Sequence, residues 1–255
     1  MKKILITAPV HQDIKIFKEY LWSLNRLEIP DGYELHKYFY LHNSNNPKKL
    51  LQPNEYEIVT DNTILEYSDT THIWKSENFK AVAAMRTMAL EKARKEDYDY
   101  IFSVDSDIIL HKNSLIELID NNKDIIAKLY WTVFDLNYPY YYMPNCYDYI
   151  NEKNQRIFKK GMNSLKIMGV HEIGVTGACT LINKRVIQEP LINYYPIKIL
   201  SSSQWEDYAF CIKAHCILPD ISIYVDTIHQ PKHLYRKEDY EKWIKEEKEE
   251  WIKES

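Results

Sequence analysis

The sequence contains no long apolar run, and this absence excludes a membrane-spanning helix. A helix needs about 20 predominantly apolar residues to cross a bilayer, and the chain has no such stretch. The apolar start, MKKILITAPV, is broken by Pro9, His11 and Asp13, and no small-residue cleavage site follows it. The sequence therefore predicts neither a transmembrane segment nor a secretory signal.

The chain also lacks cysteines at metal-binding spacing. Its four cysteines are Cys146, Cys179, Cys211 and Cys216, and none belongs to a CxxC pair. Structural zinc sites use such closely spaced thiols, so no zinc site is expected. We interpret the four residues as small buried thiols in a reducing cytosol, which predicts a cytoplasmic protein.

An excess of one charge sign is missing as well. The chain carries 33 basic and 37 acidic side chains, for a net charge of −4. This balance predicts no nucleic-acid partner and no bulk attraction to a membrane surface. With 255 residues, 45% of them hydrophobic, the chain is long enough for one large domain or two small ones.

Apolar spacing predicts alternating strands and helices in the first half of the chain. The predicted strands cover residues 3–8, 34–41, 56–60, 98–109 and 124–130, and the predicted helices cover 14–27, 76–95 and 113–119. This βαβ rhythm predicts an α/β fold with a mostly parallel sheet and helices on both faces. Residues 136–149 are expected to be irregular. Residues 236–255 are expected to form a charged, solvated helix, whose Trp243 and Trp251 offer an exposed patch to a membrane acceptor.

Two carboxylates interrupt the predicted strand YDYIFSVDSDIIL. Asp105 and Asp107 fall near its carboxyl end, where α/β folds bind their ligands. Ionised carboxylates away from water need a compensating cation, and Mg²⁺ and Mn²⁺ prefer oxygen ligands. Positions i and i+2 of an extended chain face the same side, so both carboxylates could converge on one ion. The alternative interpretation is a turn at the strand end, in which Asp caps the next helix.

Motifs before and after this pair appear in a consistent order. They are TAPVH at 7–11, AAMRT at 83–87, GVTGACTLINKRV at 174–186, WEDYAFCIKAHC at 205–216 and VDTIHQPKHLY at 225–235. Together with the DxD pattern they resemble the GT-A glycosyltransferases, especially the family 2-like group, over roughly residues 3–235. The resemblance implies a Rossmann-like nucleotide-binding sheet with helices on both faces, fused to an acceptor-binding half. It implies one catalytic domain at 1–235, with a nucleotide-sugar half (1–110) and an acceptor half (111–235), followed by a helical tail at 236–255.

The resemblance also implies a nucleotide site in the first half. The residues it assigns to nucleotide binding are Thr7, Ala8, Pro9, Val10, Asn43, Asp61, Arg86, Asp105 and Ser106. Two positions depart from the family pattern. Thr87 stands where Asn usually follows the helix arginine, and Asn43 stands where an acid often reads the base. Asp61 is the expected substitute for that acid.

The same resemblance implies roles for the metal, base and acceptor residues. Mn²⁺ or Mg²⁺ is expected between Asp107 and the donor diphosphate, with Asp105 in a supporting position. His233 is the preferred histidine ligand and His229 the second choice. Asp207, beside Glu206, is the expected catalytic base, which favours inversion at the anomeric carbon, while a retaining reaction stays open. The residues expected on the acceptor side are Trp205, Gly177 and Ala178.

These features predict a metal-assisted glycosyltransferase that moves sugar from a UDP- or GDP-sugar to a glycan, a lipid-linked sugar or a protein glycan. A sugar-phosphate nucleotidyltransferase is the alternative enzyme, but TAPVHQDIK lacks the Gly-rich phosphate loop such enzymes carry after the first strand. The third interpretation is a non-catalytic sugar- or partner-binding module on the same fold. The intact acid pairs at 105/107 and 206/207 argue against it.

Overall fold

The computed structural model describes residues 1–43, 46–60, 76–133, 142–151, 155–197 and 205–254. Asp61 lies outside these ranges. The strands are β1 (Lys2–Val10), β2 (Tyr33–His42), β3 (Tyr56–Val59), β4 (Tyr100–Ser103), β5 (Ile108–Ile109), β6 (Ile125–Lys128), β7 (Trp131–Val133), β8 (Tyr142–Pro144), β9 (Cys146–Tyr147), β10 (Tyr149–Ile150), β11 (Arg156–Ile157), β12 (Val170–Ile173), β13 (Val175–Thr176), β14 (Thr180–Asn183), β15 (Ile223–Asp226) and β16 (Lys232–His233). The α-helices are α1 (Ile14–Leu24), α2 (Ser76–Lys95), α3 (Ser114–Asp120), α4 (Lys184–Ile187), α5 (Glu206–Ile217), α6 (Lys237–Lys242) and α7 (Lys248–Glu254). Short 3₁₀ turns cover Pro47–Leu50 and Met162–Lys166, and a π-turn covers Trp243–Glu247.

Eight strands form one central sheet in the order β12-β15-β6-β14-β4-β1-β2-β3. The four N-terminal strands β3, β2, β1 and β4 are parallel, and β6 is parallel to β15. Strand β14 runs antiparallel between β4 and β6, and β12 runs antiparallel at one edge. The expected parallel sheet is therefore confirmed for the first half, while the second half makes the sheet mixed.

Helices cover both faces of this sheet. Alternate residues of a strand face opposite sides. Ile4 and Ile6 of β1 therefore pack in one apolar cluster with α1 and α3, whereas Leu5 packs in another with α2, α4 and α5. The α/β class predicted from the sequence is confirmed.

The prediction of one continuous strand over residues 98–109 is wrong in one respect. The strand ends at Ser103 as β4, and the chain turns before the two-residue strand β5, which pairs outside the central sheet. The turn contains Asp105 and Asp107, so their side chains are not presented by a regular extended strand. Asp and Ser side chains favour turns because they can bond to nearby backbone groups.

The prediction that 136–149 is irregular is wrong for its second half. Strand β8 pairs with β7, and β9 pairs with β13. Residues 134–141 lie outside the part that the structure describes.

The C-terminal helix packs on the body of the molecule. Trp243 is fully buried, and its indole Nε1 donates to Oε2 of Glu19 in α1 at 3.0 Å. Its ring lies 6.2 Å from that of Trp22 and 6.0 Å from that of Trp251. The expectation that Trp243 and Trp251 offer an exposed patch is therefore wrong, because Trp243 fills a core position.

Within the described ranges, none of the helices has the length and apolarity needed to cross a membrane. The cysteines are free thiols; Cys146, Cys179 and Cys211 are buried, whereas Cys216 is exposed. The expectation of four buried thiols is thus correct for three of them.

Candidate active site

Asp105, Ser106 and Asp107 form a turn at the carboxyl end of β4. The amide of Val104 donates to the carbonyl of Thr7 in β1 at 3.0 Å, and the amide of Ile108 donates to the carbonyl of Asp105 at 3.0 Å. These bonds fix the turn beside the end of β1, at the sheet edge where α/β folds bind ligands.

Arg86 of α2 connects this turn to the start of α5. Its Nη2 donates to Oδ1 of Asp105 at 2.7 Å, and its Nη1 donates to Oδ1 of Asp207 at 2.8 Å. Oε1 of Glu206 lies 3.9 Å from Nη2. One guanidinium therefore serves three carboxylates and brings together residues from the two halves of the chain.

The arginine lies beneath the carboxylates that it holds. The Arg86 side chain is only 4% exposed, whereas those of Asp105 and Asp207 are 29% and 26% exposed. The Arg86 guanidinium carbon also lies 5.6 Å from the centre of the Tyr194 ring, a cation–π distance. Asp105 and Asp207 can therefore meet a ligand while Arg86 fixes them from the protein side.

Burial changes the acidity of all three carboxyl groups. It raises the pKa of Asp105 to about 6, against the opposing effect of Arg86, and it raises the pKa of Asp207. Burial and the charge of Asp207 raise the pKa of Glu206 to about 8. Because Glu206 is then mainly protonated near neutral pH, the charge of Arg86 balances chiefly Asp105 and Asp207.

Gly177 leaves space for the Asp207 carboxylate. A Cβ at Gly177 would lie 2.5 Å from Oδ2 of Asp207, which is closer than side-chain atoms approach. The Gly177 amide donates to the carbonyl of Asn145 at 3.0 Å. Nδ2 of Asn145 in turn donates to the carbonyls of Lys128 and Ala178, at 3.0 and 3.2 Å. Asn145 thus holds the strand segment that borders Asp207.

Asp107 faces a different set of partners. Its Oδ2 accepts a bond from Nε2 of Gln12 at 3.3 Å and lies 3.5 Å from Nε2 of His233. The other ring nitrogen of His233, Nδ1, lies 3.0 Å from Oγ1 of Thr132. The Leu234 amide donates to the Asp107 carbonyl at 2.8 Å, so β16 places His233 directly beside the turn.

The Asp107–His233 pair fits part of a divalent cation site. Carboxylate oxygen and imidazole nitrogen are both ligands of Mn²⁺, and Mg²⁺ commonly takes one or two protein carboxylates with the remaining ligands from phosphate and water. Among the described residues, no group of three or more His, Cys, Asp or Glu side chains is placed to hold a metal. A metal here would therefore depend on oxygen atoms from a bound ligand.

The structure brings His233, not His229, beside Asp107. Nδ1 of His229 lies 2.5 Å from Oε1 of Glu117, and its ring stacks on that of His111 with the centroids 3.9 Å apart. Glu117 and Asp226 also bind Nζ of the fully buried Lys128. These contacts assign His229 to a separate charged cluster.

The residues expected to bind nucleotide reach the same sheet edge from different strands. Thr7, Ala8, Pro9 and Val10 form the end of β1, and Asn43 follows β2 with a backbone φ of 45°. The rings of His11 and His42 lie nearby with their centroids 5.7 Å apart. Arg86, by contrast, is occupied by Asp105 and Asp207.

The residues expected on the acceptor side lie around the start of α5. Trp205 precedes the helix, and the guanidinium carbon of Arg156 lies 5.4 Å from its ring and 5.0 Å from the ring of Tyr147. The positive charge of Arg156 also acts to lower the pKa of Asp207. The candidate base therefore has aromatic side chains and a second cation beside it.

Several residues of this site escape sequence reasoning. The sequence contains no pattern that singles out Asn145, Thr132 or Arg156, because each acts through contacts between elements distant in the chain. His11 carries a weak signal, since it directly follows the TAPV segment.

Comparison with known proteins gives a family match and structural matches. The model described as "Glycosyltransferase family 25, N-terminal domain" matches residues 39–228, about three quarters of the chain. The crystal structure of S. aureus TarS is similar, with 16% identity and a TM-score of 0.45, over 89% of this chain and 37% of that one. The chain thus spans well under half the length of that protein. No curated protein gives a match. The family match confirms the expected resemblance to glycosyltransferases, and the chain belongs to the glycosyltransferase family 25 N-terminal domain family.

Proposed function

We propose that this glycosyltransferase moves a sugar from a UDP- or GDP-linked donor to a hydroxyl group of a glycan or lipid-linked acceptor, with inversion at the anomeric carbon. The observation that carries the proposal is that Arg86 bonds to both Asp207 and Asp105, and that the turn of Asp105 also contains Asp107. This arrangement supports the assignment of Asp105 and Asp107 to the donor and of the separate, partly exposed Asp207 to the acceptor.

Asp207 is the proposed general base. Its raised pKa makes it a better proton acceptor than an ordinary carboxylate, while Arg86 and the start of α5 favour its ionised form. The acceptor hydroxyl gives its proton to Asp207 as its oxygen attacks the anomeric carbon. The bond from that carbon to the diphosphate breaks, and the nucleoside diphosphate leaves with the bonding electrons.

Asp107 and His233 are the proposed metal ligands. Asp105 is proposed to contact the bound donor and in this way to support the metal site. If Mn²⁺ or Mg²⁺ were held by these residues, it would supply Lewis-acid stabilisation of the charge that develops on the leaving diphosphate. The contacts of Gln12 with Asp107 and of Thr132 with His233 support this assignment, because such contacts would orient the two ligands.

The donor class can be tested by thermal unfolding with UDP, GDP, CDP and dTDP and their common sugar conjugates, each with and without Mn²⁺. A ligand at 100 times its Kd raises the midpoint by roughly 5–10 °C for a chain of this size. We expect one base to give a shift that depends on Mn²⁺. In Asp107→Ala the Mn²⁺ dependence is lost, whereas in the control Asp31→Ala, at an exposed turn residue, it is kept.

Two results oppose the proposal. If no nucleotide shifts the midpoint, the non-catalytic binding module becomes the better interpretation. If Asp107→Ala keeps the full Mn²⁺-dependent shift, Asp107 is not a metal ligand.

We also propose a cytoplasmic location, supported by the free thiols.

A further inference from the structure

The loop between β11 and β12 combines exposed apolar side chains with exposed lysines. Ile167 and Met168 are 65% and 80% exposed. Lys159, Lys160 and Lys166 are also exposed. From residue 155 to residue 171 the sequence contains no Asp or Glu, although the whole chain has a net charge of −4. This basic–apolar loop (residues 159–170) therefore carries a positive charge, in contrast to the net negative charge of the whole chain.

The apolar side chains are held outward by the fold. Leu165, two residues before Ile167, is buried in the main core. Oγ1 of Thr227 donates to the carbonyl of Ile167 at 2.9 Å, and the amide of Gly169 donates to Oγ1 of Thr227 at 2.9 Å. These bonds fix the backbone on both sides of Met168, with the side chains of Ile167 and Met168 exposed.

The loop lies on the same edge of the sheet as the candidate active site. Val170, the first residue of β12, pairs with Asp226, the last residue of β15. Strand β15 is parallel to β6, with Asp226 beside Lys128. The loop therefore projects from the carboxyl edge of the sheet, where the Asp105–Asp107 turn also lies.

We infer that the basic–apolar loop docks on an anionic lipid bilayer. Lysines near a negatively charged surface and apolar side chains inserted at the headgroup boundary are the two contributions that hold peripheral proteins on membranes. Lys166 directly precedes Ile167 and Met168, Lys159 and Lys160 lie earlier in the same loop, and the positive charge of the three lysines complements anionic lipid. Docking in this way turns the sheet edge that carries the candidate active site toward the bilayer. The surface contact does not depend on the proposed transfer reaction.

Vesicle co-sedimentation of the full chain tests this inference. We expect binding to phosphatidylglycerol-containing vesicles that weakens with added salt, and little binding to phosphatidylcholine vesicles. The double variant Ile167→Ser/Met168→Ser should lower the partition coefficient about tenfold or more. Each of Lys159→Gln, Lys160→Gln and Lys166→Gln should lower it about fivefold. The control Leu191→Ser, at a residue that is 70% exposed after α4, should bind like the unmodified chain.

Three outcomes overturn the inference: no sedimentation with anionic vesicles at low salt, equal binding to both vesicle types, or equal losses in Leu191→Ser and the loop variants. The unfolding midpoint of each variant shows whether it is folded. The nucleotide-dependent midpoint shift shows separately whether the donor site is intact, so failure of membrane docking is distinguishable from failure of the proposed function.

Discussion

At the scale of single residues, Arg86 determines how the acidic groups of the site behave. The sequence assigns this residue to the nucleotide, but its guanidinium is already bonded to Asp105 and Asp207. Without a shared cation, three neighbouring carboxyl groups would repel each other or remain protonated. We therefore regard Arg86 as a positioning residue for the candidate base and for the first acid of the Asp pair.

The raised pKa of Glu206 predicts a measurable pH dependence of stability. Its pKa of about 8 in the folded chain exceeds the usual Glu value, so the folded state binds more protons than the unfolded state between about pH 4.5 and 8. The free energy of unfolding should therefore fall as the pH rises through this window. The side chain in Glu206→Gln cannot ionise. From pH 5.5 to 8 the free energy of unfolding of this variant should therefore fall less than that of the unmodified chain, with a difference on the order of 2 kcal/mol. Urea denaturation at several pH values measures this difference.

The matched control is Glu172→Gln, at an exposed residue of β12. This variant should keep the pH dependence of the unmodified chain. If Glu206→Gln also keeps it, Glu206 is ionised in the folded protein and the charge balance assigned to Arg86 is incorrect.

At the scale of elements, local patterns predicted the main strands and helices of the first half, whereas most of the short strands after β6 were not predicted. Apolar periodicity located α2 at the bounds observed, Ser76–Lys95, and β1 to within two residues at each end. The break after Ser103 was missed because the apolar residues continue on both sides of it. The bond from the Val104 amide to Thr7 is a tertiary contact with no periodic signal, whereas the turn from Asp105 to Ile108 is local and agrees with the alternative interpretation of a turn at the strand end.

The same distinction applies to the site. The DxD and ED motifs were visible because their residues are adjacent in the chain. The choice of His233 over His229 depends on the pairing of β16 with β5, which the fold alone supplies. Asn145 and Thr132 have no motif, because their function is to bond groups that the folded chain brings together.

Gly177 offers a test of how β13 and α5 fit together. In Gly177→Ala the new Cβ, 2.5 Å from Oδ2 of Asp207, should displace that carboxylate. We expect sugar transfer to fall at least tenfold, since a displaced base loses hydrogen-bond reach, while donor binding persists. Turnover and the donor-induced midpoint shift measure the two effects separately.

Gly161→Ala is the control for a general loss of stability away from the candidate site. Gly161 has a φ of 75°, and a Cβ added there would meet no atom within 4 Å, so this variant should lose stability without a specific loss of turnover. Equal turnover in Gly177→Ala and the unmodified chain would show that the geometry of Asp207 is not critical.

At the scale of the whole molecule, one sheet joins the two halves of the site. The residues proposed for the donor side follow β1, β2 and β4 of the central sheet, and those proposed for the acceptor side lie between the separate strand β13 and β14 and at the start of α5. Arg86 and Asn145 connect the parts, and the buried Trp243 secures the C-terminal helix against α1. The central claim is that this assembly activates a hydroxyl group through Asp207.

The most direct measurement of that claim is donor hydrolysis, with water as the acceptor. The donor that shifts the unfolding midpoint is incubated with the chain and Mn²⁺, and released nucleoside diphosphate is followed over time. Because removing a general base typically costs 10²–10⁴-fold, Asp207→Asn should release diphosphate at least about 100-fold more slowly while the donor-induced midpoint shift stays within a degree or two. Release by Asp207→Asn at the rate of the unmodified chain would contradict the assignment of Asp207 as the base.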